Sequence, residues 1–239
     1  MIEPNGKTVL VAAGVADIAA AVAQRLAAEG FAVVLVLPDG GNAVACLTAI
    51  HAVGRRAATI DADLRQPDAM HALFDHAEAI FGKLDVLVSD ADIMQLSPLA
   101  DADEASFKRH VAINDKGVLS GVREAARRLR PGGRIIGISA SAGGLQEPSI
   151  NIHSATAAGI KALARVLAAE VKAGELTLTA IALCPKASRT ADAPSQTLML
   201  PQDLGDAVAF LAQADRLAVD GRVLRVERVA VSSVRKQER

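Results

Sequence analysis

Apolar positions along this chain fall into short dense blocks separated by longer stretches of mixed polarity. Residues 8–12 (TVLVA), 31–37 (FAVVLVL), 57–61, 84–88 (LDVLV), 134–138, 176–183 and 222–226 form the dense blocks. Short runs of this kind suit strands covered on both faces. Between them, the segments 17–29, 43–53, 67–81, 104–129, 153–173 and 201–213 have helical apolar spacing, which predicts helices. Punctuation agrees with the division. Gly30 closes the first helix, Pro38-Asp39-Gly40-Gly41 marks a turn, and Pro131-Gly132-Gly133 stops the long helix. Strand and helix therefore alternate from end to end. The pattern predicts a single-domain α/β fold over residues 1–231, a doubly wound parallel seven-strand sheet with helices on both faces, and a polar tail over 232–239.

Composition narrows the possibilities. At 239 residues, 51% hydrophobic and 22% charged, the chain suits one globular core and no disordered tract. A net charge of −1 argues against a nucleic-acid partner or an anionic membrane surface. The apolar stretch 9–23 is preceded by Glu3 and split by Asp17, so it reads neither as a secretion signal nor as a membrane span. Cys46 and Cys184 lie far apart and suggest neither a disulfide framework nor a metal site. The expectation is a soluble cytoplasmic protein without a structural metal.

The strings RLAAEGFAVVL, DADL, LDVLV, GGRIIGIS, PKASRT and PQDLGDAVAFLA occur in an order and spacing that cover residues 7–229. In these stretches the chain resembles the short-chain dehydrogenase/reductase family. The resemblance implies a Rossmann-like fold, NAD or NADP as cofactor, and an Asn-Ser-Tyr-Lys catalytic set. It also implies dimers or tetramers. The residues that would carry this chemistry depart from the family pattern.

The family's TGxxxGxG loop brings a pyrophosphate to a helix N-terminus. Here its threonine position holds Ala12 and its glycine positions hold Ala13, Asp17 and Ala19, with Gly14 at a free position. Side chains are thus expected in the space of a phosphate, with a carboxylate at Asp17. Asp17 also reads as a cap for the helix it begins. After the fourth strand, the family's NNAG turn is replaced by Ser89-Asp90-Ala91-Asp92, in which only Ala91 matches. Asp90 and Asp92 read as solvated loop carboxylates, or as groups that would favour a cationic ligand. Asp63-Leu64 resembles the pair that contacts adenine, and Ile18 stands in the cofactor loop. The second strand ends in Leu37-Pro38, which leaves the choice between NAD and NADP unreadable.

Among catalytic positions, the asparagine survives as Asn114. It suits a proton relay, or equally a bond to a neighbouring carbonyl at a helix irregularity. The serine position falls on Ala140, flanked by Ser139 and Ser141. The lysine position holds Ala157 and the tyrosine position His153. The whole chain contains no tyrosine. His153 reads either as a general acid/base, since an imidazole titrates near neutrality, or as a packed residue filling the tyrosine's place.

Together these departures lead to a pseudoenzyme with no cofactor expected, NAD or NADP being the one implied if any is held. Such a scaffold would act as a homo-oligomer or as a hetero-oligomer with an active relative. An atypical oxidoreductase, or a non-redox enzyme using His153, is the rival reading. Binding of a neutral or cationic small molecule is a third.

Overall fold

The computed structural model describes residues 6–13, 15–36, 43–63, 66, 69–90, 98–140, 151–170, 176–183, 201–214 and 223–226. Its elements follow the predicted alternation: β1 (Thr8–Ala13), α1 (Ala16–Ala28), β2 (Ala32–Val36), α2 (Ala43–Ala52), β3 (Ala57–Ile60), α3 (Ala69–Phe81) and β4 (Val86–Asp90). After a 3-10 turn (Leu99–Asp101) come α4 (Glu104–His110), a π-helical segment (Val111–Gly117), α5 (Val118–Arg128) and β5 (Gly133–Ala140). The chain continues through α6 (Asn151–Glu170), β6 (Leu176–Leu183), α7 (Pro201–Gln213) and β7 (Val223–Val226).

The seven strands form one sheet in the order β3-β2-β1-β4-β5-β6-β7, and every neighbouring pair is parallel. The order reverses between β1 and β4, where a doubly wound sheet opens a crevice beyond its strand C-termini. β1 and β4 run in register from Val9↔Val86 to Ala13↔Asp90.

Both faces of the sheet are buried, which explains why its strands read as continuous apolar runs rather than alternating ones. Val9, Val11, Val33, Val86 and Val88 pack beneath α1, α2 and α7. Leu10, Val34, Leu87 and Ile135 pack beneath α3 and α5 around the fully buried Phe74. Gly205 fixes how near α7 approaches α1: a Cβ there would stand 3.1 Å from the Ala21 carbonyl oxygen and 3.2 Å from Arg25 Cβ.

Charge closes the seam between α3 and α5. Arg128 Nη2 donates to Asp75 and to Glu78, each at 2.7 Å, while its guanidinium lies 5.4 Å from the Phe74 ring centre. Those bonds hold Asp75 below the ordinary carboxylate range and push Arg128 up.

The long helix expected over 104–129 is divided. Asp103 caps α4 by accepting a 2.7 Å bond from the Ser106 backbone N–H. After the seven residues of α4 the backbone passes into the π-helical segment before α5 resumes. That segment, VAINDKG, holds two β-branched residues and an asparagine, all weak helix formers. A local bulge of this kind is common where a helix meets a functional site.

Candidate functional site

Two neighbouring regions collect the residues singled out in the sequence. The first is the β1–β4 crevice. Ala13, the last residue of β1, is 1% exposed and Ala19 is fully buried, both in the apolar cluster beneath α1. Their methyl groups therefore pack into the core. The expectation that these two side chains would occupy the phosphate's space is corrected: α1 and β1 have absorbed them.

Asp17 lies in the first turn of α1 and is exposed. The N-cap is Val15, which provides no side-chain cap bond, so the capping role expected of Asp17 is also corrected. Two residues past the cap, its carboxylate complements the positive end of the helix dipole instead. Asp90 departs further from expectation. It is the last residue of β4 rather than a loop residue, and it is only 4% exposed. Strand alternation puts it on the face of Val86 and Val88, which is the face that α1 covers.

Other crevice residues are partly described. Ile18 is half-buried and packs on the core beneath α1. Asp63, just past β3, accepts a 3.2 Å bond from Gln66 Nε2 and bonds the Gln66 backbone N–H at 3.0 Å through its carbonyl. Gly14, Leu64, Ala91 and Asp92 lie outside the described residues. The pyrophosphate implied by the fold needs N–H or cationic donors at the β1–α1 turn. The described side chains offer it two carboxyl groups, from Asp17 and Asp90. Beside these carboxyl groups stand the backbone N–H groups that open α1, the donors a pyrophosphate uses at such a turn.

The second region is the junction of the π-helical segment with α6. Asn114 is fully buried there, and its Nδ2 donates a 3.0 Å hydrogen bond to Thr156 Oγ1. Thr156 Oγ1 in turn donates to the Ile152 carbonyl at 3.3 Å. The helix irregularity anticipated for Asn114 is present, and a hydroxyl on another helix is among its partners. Thr156 was not singled out in the sequence. Its one signal was its place between His153 and Ala157 on the tyrosine-to-lysine turn.

Asp115 follows Asn114 and leans on α6, with its Oδ1 only 3.0 Å from where a Cβ on Gly159 would stand. Burial pushes the Asp115 carboxyl up from the ordinary range. His110, buried on the last turn of α4, donates from Nδ1 to the Ser106 carbonyl at 2.9 Å. His153 and Ala157 lie one turn apart near the start of α6. Ser139 is the penultimate residue of β5, paired in register with Ala182. Ser141, like Cys184, lies outside the described residues.

The family model for short chain dehydrogenases matches residues 7–197. The chain belongs to the short-chain dehydrogenase/reductase family. It is 31% identical to the cis-4-hydroxycyclohexanecarboxylate dehydrogenase of Sinomonas cyclohexanicum, with 95% of this chain and 98% of that protein covered. Among solved structures, a dehydrogenase/reductase from Sinorhizobium meliloti 1021 superposes with a TM-score of 0.84 at 31% identity, covering 94% and 95% of the two chains. A short-chain dehydrogenase from Burkholderia cenocepacia J2315, in complex with NADP, gives 0.83 at 27% identity over 93% and 96%. Short-chain dehydrogenases of this kind are thus oxidoreductases by family. No helix among the described residues is long and apolar enough to cross a membrane.

Proposed function

We propose that this chain is a short-chain dehydrogenase scaffold that does not carry out the family's tyrosine-dependent hydride transfer. One observation carries the reading: no phenol exists anywhere in the chain to protonate a carbonyl substrate, and Ala157 stands where the assisting ammonium would be. Proton transfer by a positioned acid contributes about 10²–10⁴-fold in rate. Losing both donor and helper removes that contribution, while Asn114 continues to anchor the helix beside it.

A cytoplasmic scaffold of this sort would act through association, as a homo-oligomer or beside an active relative. Phe107 on α4, Leu119 on α5 and Val166 on α6 support this, since each leaves 45–53% of its surface exposed. A solution mass of 24.7 kDa at all concentrations would remove the association half of the proposal.

The second reading is an atypical oxidoreductase in which His153 supplies the proton. The likeness to a named dehydrogenase favours it. Nicotinamide oxidation and reduction, followed at 340 nm against a panel of ketones, alcohols and quinones, separates the two. The scaffold reading expects no turnover with any member of the panel. Turnover that His153→Ala abolishes, in a variant that still melts cooperatively, would replace it with the second reading.

A further inference from the structure

We propose that His71 is a proton-operated latch between α3 and α5, closed when its ring is protonated and loosened when the ring is neutral. At the seam between these helices three carboxylates, Asp75 and Glu78 on α3 and Glu124 on α5, gather around the Arg128 guanidinium. Glu124 is buried, whereas the His71 side chain is 63% exposed, so solvent protons reach the ring while its partner stays fixed. Each ring nitrogen faces a different acid. Nδ1 lies 3.1 Å from Glu124 Oε2 across the seam, and Nε2 lies 3.6 Å from Asp75 Oδ2 on the same helix.

A neutral imidazole carries a single N–H and serves only one of these acids, while its other nitrogen turns a lone pair toward the second. The imidazolium has an N–H on both nitrogens and faces both acids at once. Charge changes in the same direction. With the ring neutral, three carboxylates share one guanidinium; with the ring protonated, two cations serve the three. The hydrogen bond from Arg128 holds the Asp75 carboxyl below the ordinary range, so Asp75 keeps its charge as pH falls through the range in which an imidazole titrates. His76 is the other histidine of α3, and it too acts on Asp75. β1 and β3, which also pack against α3, contain no ionisable side chain. The second contact exists only in the folded chain. Its stabilisation is therefore present with the ring protonated and lost as pH rises through the imidazole range, about 6.5. Stronger acid removes it again, once Glu124 and Asp75 take up protons.

The latch lies beside a close contact. Met70 precedes His71 on α3, and a Cβ on Gly121 of α5 would stand 3.0 Å from its Cε, so the two helices are held near each other there. The Ala69 N–H, which opens α3, bonds the Gln66 carbonyl at 3.2 Å, and the Gln66 N–H bonds the Asp63 carbonyl at 3.0 Å. The first turn of α3 thus carries the turn at Asp63, and a looser seam frees that turn as well. The inference is independent of whether the chain holds a nucleotide or turns over a substrate.

Amide hydrogen exchange tests it, measured at about pH 5.5 and about pH 7.5 on either side of the imidazole range and corrected for the intrinsic effect of pH. The amides of α7, on the other face of the sheet, report any change that is global. In the unaltered chain, α3 should open about two- to fivefold less often at the lower pH than at the higher, relative to α7, as suits a partly exposed ion pair. Added salt should shrink that response. His71→Gln cannot take up the proton and should abolish it, and Glu124→Gln should weaken it. His76→Gln should keep it. A response that survives in His71→Gln, one that disappears in His76→Gln, or none in the unaltered chain would each overturn the proposal. Should Glu124→Gln fail to fold, Asp75→Asn takes its place and must weaken the response.

Discussion

The crevice at β1–β4 and the junction of the π-helical segment with α6 have both lost family residues, but in different ways. At the crevice, the replacements changed what surrounds the turn. Ala13 and Ala19 joined the core, and Asp17 and Asp90 brought acid to a place that elsewhere in the family accepts phosphate. At the junction, the groups that would react are gone, yet the connection between helices persists through Asn114 and Thr156, 42 residues apart. A residue that holds two elements together is replaced at a cost in stability, whereas a residue that only meets a ligand can change freely once the ligand no longer matters. Under the proposed reading, the fold is kept while the family's tyrosine-dependent chemistry is released.

The sharpest way to break this comparison is at the junction. Asn114→Leu removes the donor and leaves the buried Thr156 hydroxyl with one partner fewer, for an expected loss of about 2–3 kcal/mol in urea unfolding. A double-mutant cycle with Thr156→Val should return a coupling of roughly 0.5–3 kcal/mol. Additive losses would show that the two side chains do not act as a pair. At the crevice, Ala19→Gly moves the chain toward the family pattern and should nonetheless destabilise it, by about 1 kcal/mol, because a glycine loses more backbone entropy on folding and the core loses a methyl group. A stability unchanged by that substitution would contradict the claim that the core absorbed Ala19.

Smaller effects sharpen the contrast. Asp17→Ala should cost about 0.5 kcal/mol through the lost dipole interaction, with the difference fading at high salt. The smallest change concerns Asp115. Burial raises its carboxyl above the ordinary range, so the native state binds that proton more tightly than the unfolded chain does. Its contribution to stability is therefore lost as pH rises from the ordinary carboxylate range through the raised value. Asp115→Asn should raise the urea midpoint slightly at neutral pH, and the gain should close in acid below the ordinary range. A gain that instead grew in acid would reverse the assigned direction.

Most of the fold was legible because burial writes its period locally. Every strand of the sheet coincides with a dense apolar block, and each predicted helix is present over most of its span. The long helix before β5 was the exception: an irregularity was anticipated at Asn114, but the apolar spacing did not show that a π-helical segment divides the helix there. Strand ends were read two residues short at β4, where Asp90 looks polar in sequence but is buried in place. The absence of tyrosine was fully legible, because an absent residue type needs no structure to establish, whereas Ala157 at the lysine position was read from spacing.

The amino-acid order by itself therefore determined the alternation of elements, the family and the absence of tyrosine, all of which depend on residue identity and near-neighbour spacing. Tertiary structure alone decided the environment of each replacement. Whether an alanine in a phosphate loop faces ligand or core depends on how α1 settles on β1, and Asp90 comes to stand buried beside Ala13 only because β4 lies beside β1, some 77 residues away along the chain, as in the Thr8–Asp85 bond. Contacts over such separations follow the path of the backbone, and local spacing does not encode that path.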